Sequence, residues 1–122
     1  MTPQRIQRRR TAGWRKPPGA VIVDRTSRWG NPARLERQET NLWRVVVEDQ
    51  GAMVGLGHDL TEGQAREVAT TYYRGHLARR PELAEQARQL LAGRDLACPC
   101  SPGAMCHGDV LLEIANPKER TR

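Results

Sequence analysis

Hydrophobic positions in this chain come first as short runs and later at helical spacing. "AVIVD", residues 20–24, is a compact β-branched run and predicts a buried strand. "LWRVVVED", residues 42–49, predicts another, and "AMVGLG", residues 52–57, returns beside it as a hairpin after Gln50-Gly51. A shorter strand is expected around Ile6 in "RIQRRRTAGWRKPPG", which breaks at Pro17-Pro18-Gly19. The period then changes. Thr61 and Gln64 have the spacing of a capping box, and Ala65, Val68, Ala69, Tyr72, Tyr73, His76 and Leu77 follow as one stripe. A second helix starts at Pro81, buries Leu83, Ala84, Ala87, Leu90 and Leu91, and ends at Gly93 as its C′ residue. "DLAC", residues 95–98, follows as an inner strand. The last helix begins near Cys106 or His107, buries Val110, Leu111, Ile114 and Ala115, and stops before Pro117.

Strands first, then helix, helix, strand and helix, predict a single three-layer α/β domain with a small central sheet and about three main helices. The 122 residues suffice for one modest core, with no internal repeat and a frayed tail at 117–122. No apolar run approaches the ~18 residues of a membrane span, and no secretory h-region follows Met1. A cytoplasmic protein without a membrane partner is expected. In a reducing compartment three cysteines, an odd number, argue against a disulfide framework. Metal binding, thiol chemistry and inert packing remain.

Charge sharpens the picture. Residues 1–16 hold Arg5, Arg8, Arg9, Arg10, Arg15 and Lys16 and no acid, which equals the whole net charge of +6. The other 106 residues carry 14 basic and 14 acidic side chains. Such an arm suits nucleic-acid phosphate, with Arg8, Arg9, Arg10 and Arg15 as contacts and Trp14 as a stacking face. A solvated basic tail is the alternative.

All three cysteines and one histidine fall in "CPCSPGAMCH", between the expected inner strand and the last helix. Loops at the carboxyl ends of strands form the crevice of open α/β sheets, and a helix N-terminus attracts anions. The segment admits three readings. Cys98, Cys100, Cys106 and His107 form a Cys3His zinc set, although Cys-x-Cys is tighter than usual spacing and Cys106-His107 are adjacent. Alternatively, Cys106 is a thiolate at the helix start, with His107 and Asp109 for acid–base work. Otherwise Cys98 packs the core, His107 is a surface or capping residue, and Asp109 caps the helix. A second constellation, Arg25, Ser27, Arg28, Trp29, Gly30 and Asn31, follows the strand at 20–24. Two arginines can clamp a phosphate, an indole can stack on a base, and Asn31 can read a base edge or cap the turn. In the plainer reading Trp29 anchors the loop in the core and the arginines face water.

"DRTSRWGNP" with "LACPCSPGAMCHGDVLLEIAN" about seventy residues later resembles the domain-of-unknown-function family 4326. The resemblance spans most of the chain except residues 34–60, and the two motifs are specific together. Its pattern picks out Arg25, Ser27, Arg28, Trp29, Gly30, Asn31 and Pro32, then Cys98, Cys100, Cys106, His107 and Asp109. Two positions depart: Pro99 stands where an aromatic is usual, and Ala33 where a Phe is common. The resemblance implies a compact Rossmann-like domain with polar loops at one edge, and a phage or actinobacterial setting. It carries no substrate.

The first expectation is therefore a nucleotide- or nucleic-acid-phosphate-binding domain acting as a hydrolase or transferase. Arg25 and Arg28 would hold phosphate, Trp29 would stack, and Cys106, His107 or Asp109 would do the chemistry. The rival is a non-catalytic nucleic-acid-binding module with a zinc or packed-cysteine loop. A third is a phage-type protein that binds a host protein.

Overall fold

The computed structural model describes residues 3–9, 11–100 and 103–117. Its order is β1 (Arg5–Gln7), β2 (Val21–Ile22), β3 (Arg34–Arg37), β4 (Trp43–Asp49), β5 (Ala52–Leu60), α1 (Glu62–Ala78), α2 (Pro81–Leu91), β6 (Leu96–Cys98) and α3 (His107–Ala115). The mixed α/β class and the three helices are as expected. The single central sheet is not: the strands divide between two three-stranded sheets.

The first sheet is parallel, in the order β1-β6-β2, with Ile6 and Ile22 both opposite Ala97. All three β6 residues are buried, which explains an uninterrupted "LAC" with no alternation. The second sheet is the antiparallel meander β3-β4-β5. Its tight turn uses Gln50 at φ 52° and Gly51 at φ 83°, the paired positive angles of a type I′ hairpin. β3 was not foreseen. Its "RLER" offers one apolar side chain, because an edge strand carries charge to discourage pairing with another chain. Glu36 there takes up Arg34 and Arg44.

Helix α1 sits between two cores, so its expected single stripe is really two. Ala65 and Ala69, with Val68 and Tyr72, pack on Val45 of the meander. Tyr73 and Leu77 turn instead to the parallel sheet and join Leu91, Leu96, Val110 and Leu111. The foreseen capping box forms. Gln64 N donates to Thr61 Oγ1 at 3.1 Å and Thr61 N to Gln64 Oε1 at 3.0 Å. Pro81 opens α2, and Gly93 takes φ 75° just beyond it.

The basic segment is not a separate arm. β1 is a strand of the parallel sheet, and Arg8 continues it by donating its N–H to Cys98 O at 2.6 Å. The Arg5 side chain is only 6% exposed, and Arg8 pairs with Asp24 at 3.0 Å. Arg9 and Arg15 are exposed and Trp14 is half-buried, so these keep access to a partner. Arg10 and the tail at 118–122 lie outside the described residues.

Candidate metal centre and ligand cavity

The carboxyl ends of β2 and β6 lead into the two motif loops. A cavity of about 450 Å³ opens between them, lined from one side by Arg25, Thr26 and Asn31 and from the other by Cys100, Met105, Cys106 and His107. The size suits a small-molecule ligand. Arg34 from β3 and Arg66 from α1 complete a basic wall, against the buried carboxylate of Asp24.

Beside it the three cysteine sulfurs lie within 4.8 Å of one another, Cys100 and Cys106 lining the cavity and Cys98 buried behind them. Cys98 and Cys106 are 3.4 Å apart, too far for a disulfide, and all three cysteines are free. Tetrahedral zinc with Zn–S of ~2.3 Å and Zn–N of ~2.0–2.1 Å has S–S edges of roughly 3.8 Å and S–N edges of roughly 3.6 Å. The residues present fit such an ion, and three close cysteines can hold a metal here. Each sulfur also accepts an N–H: Cys98 from Arg5 at 3.5 Å, Cys100 from Arg66 at 3.8 Å, and Cys106 from Gly108 N at 3.4 Å. These donors supply the charge compensation that buried thiolates need.

Local folding sets this geometry. Cys106 is the N-cap of α3, and Asp109 returns the capping box by accepting from Cys106 N at 3.2 Å. Arg5 crosses from β1 to reach Asp109 at 3.0 Å, Cys98, and Ala104 O at 2.6 Å, tying strand, loop and helix together. Burial works against its charge, but the Cys98 hydrogen bond and the nearby Asp109 and Cys106 raise its pKa. His107 Nε2 lies 2.6 Å from Val23 O, and Nδ1 lies 3.6 Å from Cys106 Sγ. A carbonyl only accepts, so Nε2 carries the hydrogen and Nδ1 keeps its lone pair. Burial lowers the His107 pKa.

Among the thiols, Cys100 rather than Cys106 is the one pushed down. Hydrogen bonds from Cys106 and Cys98, then Arg66, hold Cys100 well below the thiol range. Cys106 is pushed up by those same sulfur contacts and by burial. The reading of Cys106 as a thiolate lowered by the helix start thus meets an opposing environment: two sulfur contacts and burial act against its Gly108 N–H. Asp109 is engaged in the cap and the Arg5 pair.

The other loop also departs from expectation. Trp29 is 4% exposed and sits in the core, its carbonyl accepting from Tyr73 Oη at 2.6 Å, so it presents no stacking face. Arg28 lies over the Trp29 ring at 5.5 Å and reaches Gln86 of α2 at 3.3 Å, away from the cavity. Ser27 is bound into the turn through Asp24 O at 2.8 Å. Gly30 is required by contact: a Cβ there would stand 2.7 Å from Arg25 O. Asn31 borders the cavity but fastens the loop to α1, donating to Ala69 O at 2.9 Å and accepting from Ala33 N at 3.0 Å. Arg25 is exposed and makes no hydrogen bond or ion pair to another described residue, so its guanidinium remains open to an anion. Sequence reasoning missed Arg66 and Asp24. Arg66 with Glu62 reads as an ordinary i,i+4 surface pair, and nothing local signals its reach to Cys100.

No helix among the described residues is long and apolar enough to cross a membrane. No curated protein and no solved structure matches the chain. The family profile matches residues 6–117, and the chain belongs to the family described as Domain of unknown function (DUF4326).

Proposed function

We propose that this domain binds the phosphate of a nucleotide or nucleic acid in the cavity between its two motif loops, beside a zinc ion held by Cys98, Cys100 and Cys106. The observation that carries this reading is the shared cavity: Arg25 and Arg66 face it, and two of the three clustered cysteines line it. Zinc suits the site because a buried set of thiolates favours a borderline-soft ion. In the Rossmann-like part of the reading, the parallel sheet delivers both loops from the carboxyl ends of its strands, where such folds bind ligands. Phosphate recognition passes from the expected Arg25–Arg28 pair to Arg25 and Arg66. A hydrolase or transferase follows from a metal beside a phosphate, with the ion supplying Lewis-acid chemistry and the arginines neutralising the anion.

Calorimetric titration of inorganic phosphate and of a nucleoside monophosphate into the zinc-loaded protein tests this. Arg25→Ala is expected to weaken binding about tenfold with an unchanged melting temperature, as fits loss of one charge-assisted contact. Equal affinity in the variant would overturn the phosphate role.

A further inference from the structure

We infer that the cysteine centre is open: three sulfurs hold the metal, and its fourth position faces the cavity, exchangeable by a water or a small ligand, with His107 beside the metal rather than on it. This rests on the metal reading above. The three sulfurs lie within 4.8 Å of one another, and the His107 ring stands outside that set although its Nδ1 is 3.6 Å from Cys106 Sγ. Cys98 is fully buried behind the site, whereas Cys100, Cys106 and His107 line the cavity. An ion seated on the cavity side of these sulfurs would turn its remaining position toward that space.

The imidazole is anchored elsewhere. Nε2 donates to Val23 O at 2.6 Å, and the ring packs edge-on against Tyr73, 5.2 Å between centroids at 77°. Those anchors leave Nδ1 as an acceptor near Cys106, placed to take a hydrogen bond from whatever molecule occupies the vertex. A closed structural centre fills all four positions with protein ligands; one with three keeps room for a reactant. Arg66, which touches both Cys100 Sγ and Met105 O, borders the same opening.

Cobalt(II) substitution tests the inference without an activity assay. The loaded protein is expected to show sulfur-to-cobalt charge transfer with tetrahedral visible bands, and azide should shift those bands. His107→Ala and His107→Gln should bind one cobalt with the same charge-transfer intensity and still respond to azide. Bands indifferent to azide in the wild type overturn the open vertex, whatever the variants do. Loss of the charge transfer in folded His107→Gln would mark a closed Cys3His centre and overturn it as well. A wild-type protein without any thiolate charge transfer would sink the metal reading itself, a different result from azide silence.

Discussion

His107 Nε2 donates to Val23 O at 2.6 Å, a single hydrogen bond across 84 residues that joins the end of one motif to the start of the other. Val23 leads into the arginine loop, and His107 opens α3 immediately after the Cys106 cap. Both residues are at or near the core, so this bond fixes the distance between the cavity's two walls. His107→Ala is expected to cost ~1–3 kcal/mol by leaving a buried carbonyl unpaired. Urea denaturation of the metal-free protein measures it; unchanged stability would mean that the walls are set by packing alone.

Arg5 and Asp109 provide a second tie, from the first strand to the last helix. Arg5→Met should lower stability by about 2–3 kcal/mol, since a largely buried guanidinium and its charged hydrogen bonds are lost. Asp109→Ala should cost ~1–2 kcal/mol through the cap and the pair together. Denaturant midpoints report both. If Asp109→Ala melted like the wild type, the capping role would fail.

Gly30→Ala should destabilise the arginine loop by ~1–3 kcal/mol, because the new methyl would press on the Arg25 backbone at 2.7 Å. A neutral effect on the melting temperature would contradict the close approach.

The basic end gives a separable result. Replacing Arg9, Arg15 and Lys16 by Ala should leave the fold formed, because Arg9 and Arg15 are exposed and Lys16 gives up a single hydrogen bond, to Ala20 O at 2.7 Å. If nucleic acid is the partner and all three contact phosphate, the slope of log K against log salt should fall by roughly three. Deleting residues 1–16 is instead expected to unfold the parallel sheet, since β1 is one of its three strands. A folded deletion product, seen by circular dichroism, would contradict that placement.

Elements with local causes were legible in the sequence: the Thr61 cap, the start of the last helix near Cys106 or His107 with Asp109 in its cap, Pro81 at a helix start, the Gln50-Gly51 turn, Gly93 past a helix end. What escaped depends on distant partners. A strand's own residues do not name its neighbour, so "VI" and "WRVVVED" looked alike yet joined different sheets. Charge hid roles as well: Arg5 and Arg8 counted toward a basic arm until their partners Asp109 and Asp24 appeared. Trp29 offered either a stacking face or a core anchor, and only Tyr73 beside it decides for the core. The cysteine segment stood out from composition, but the meeting of the two loops in one cavity is a tertiary fact.

A metal held by Cys98, Cys100 and Cys106 underlies both the proposed ligand site and its open position. Its most direct test is the zinc content of untagged protein by mass spectrometry, paired with thiol titration before and after chelation. Close to one zinc per chain is expected, with thiols protected until chelator is added and the metal lost in Cys100→Ser while the fold is retained. Metal-free protein that takes up no added zinc, with thiols reacting alike in the presence and absence of chelator, would contradict it.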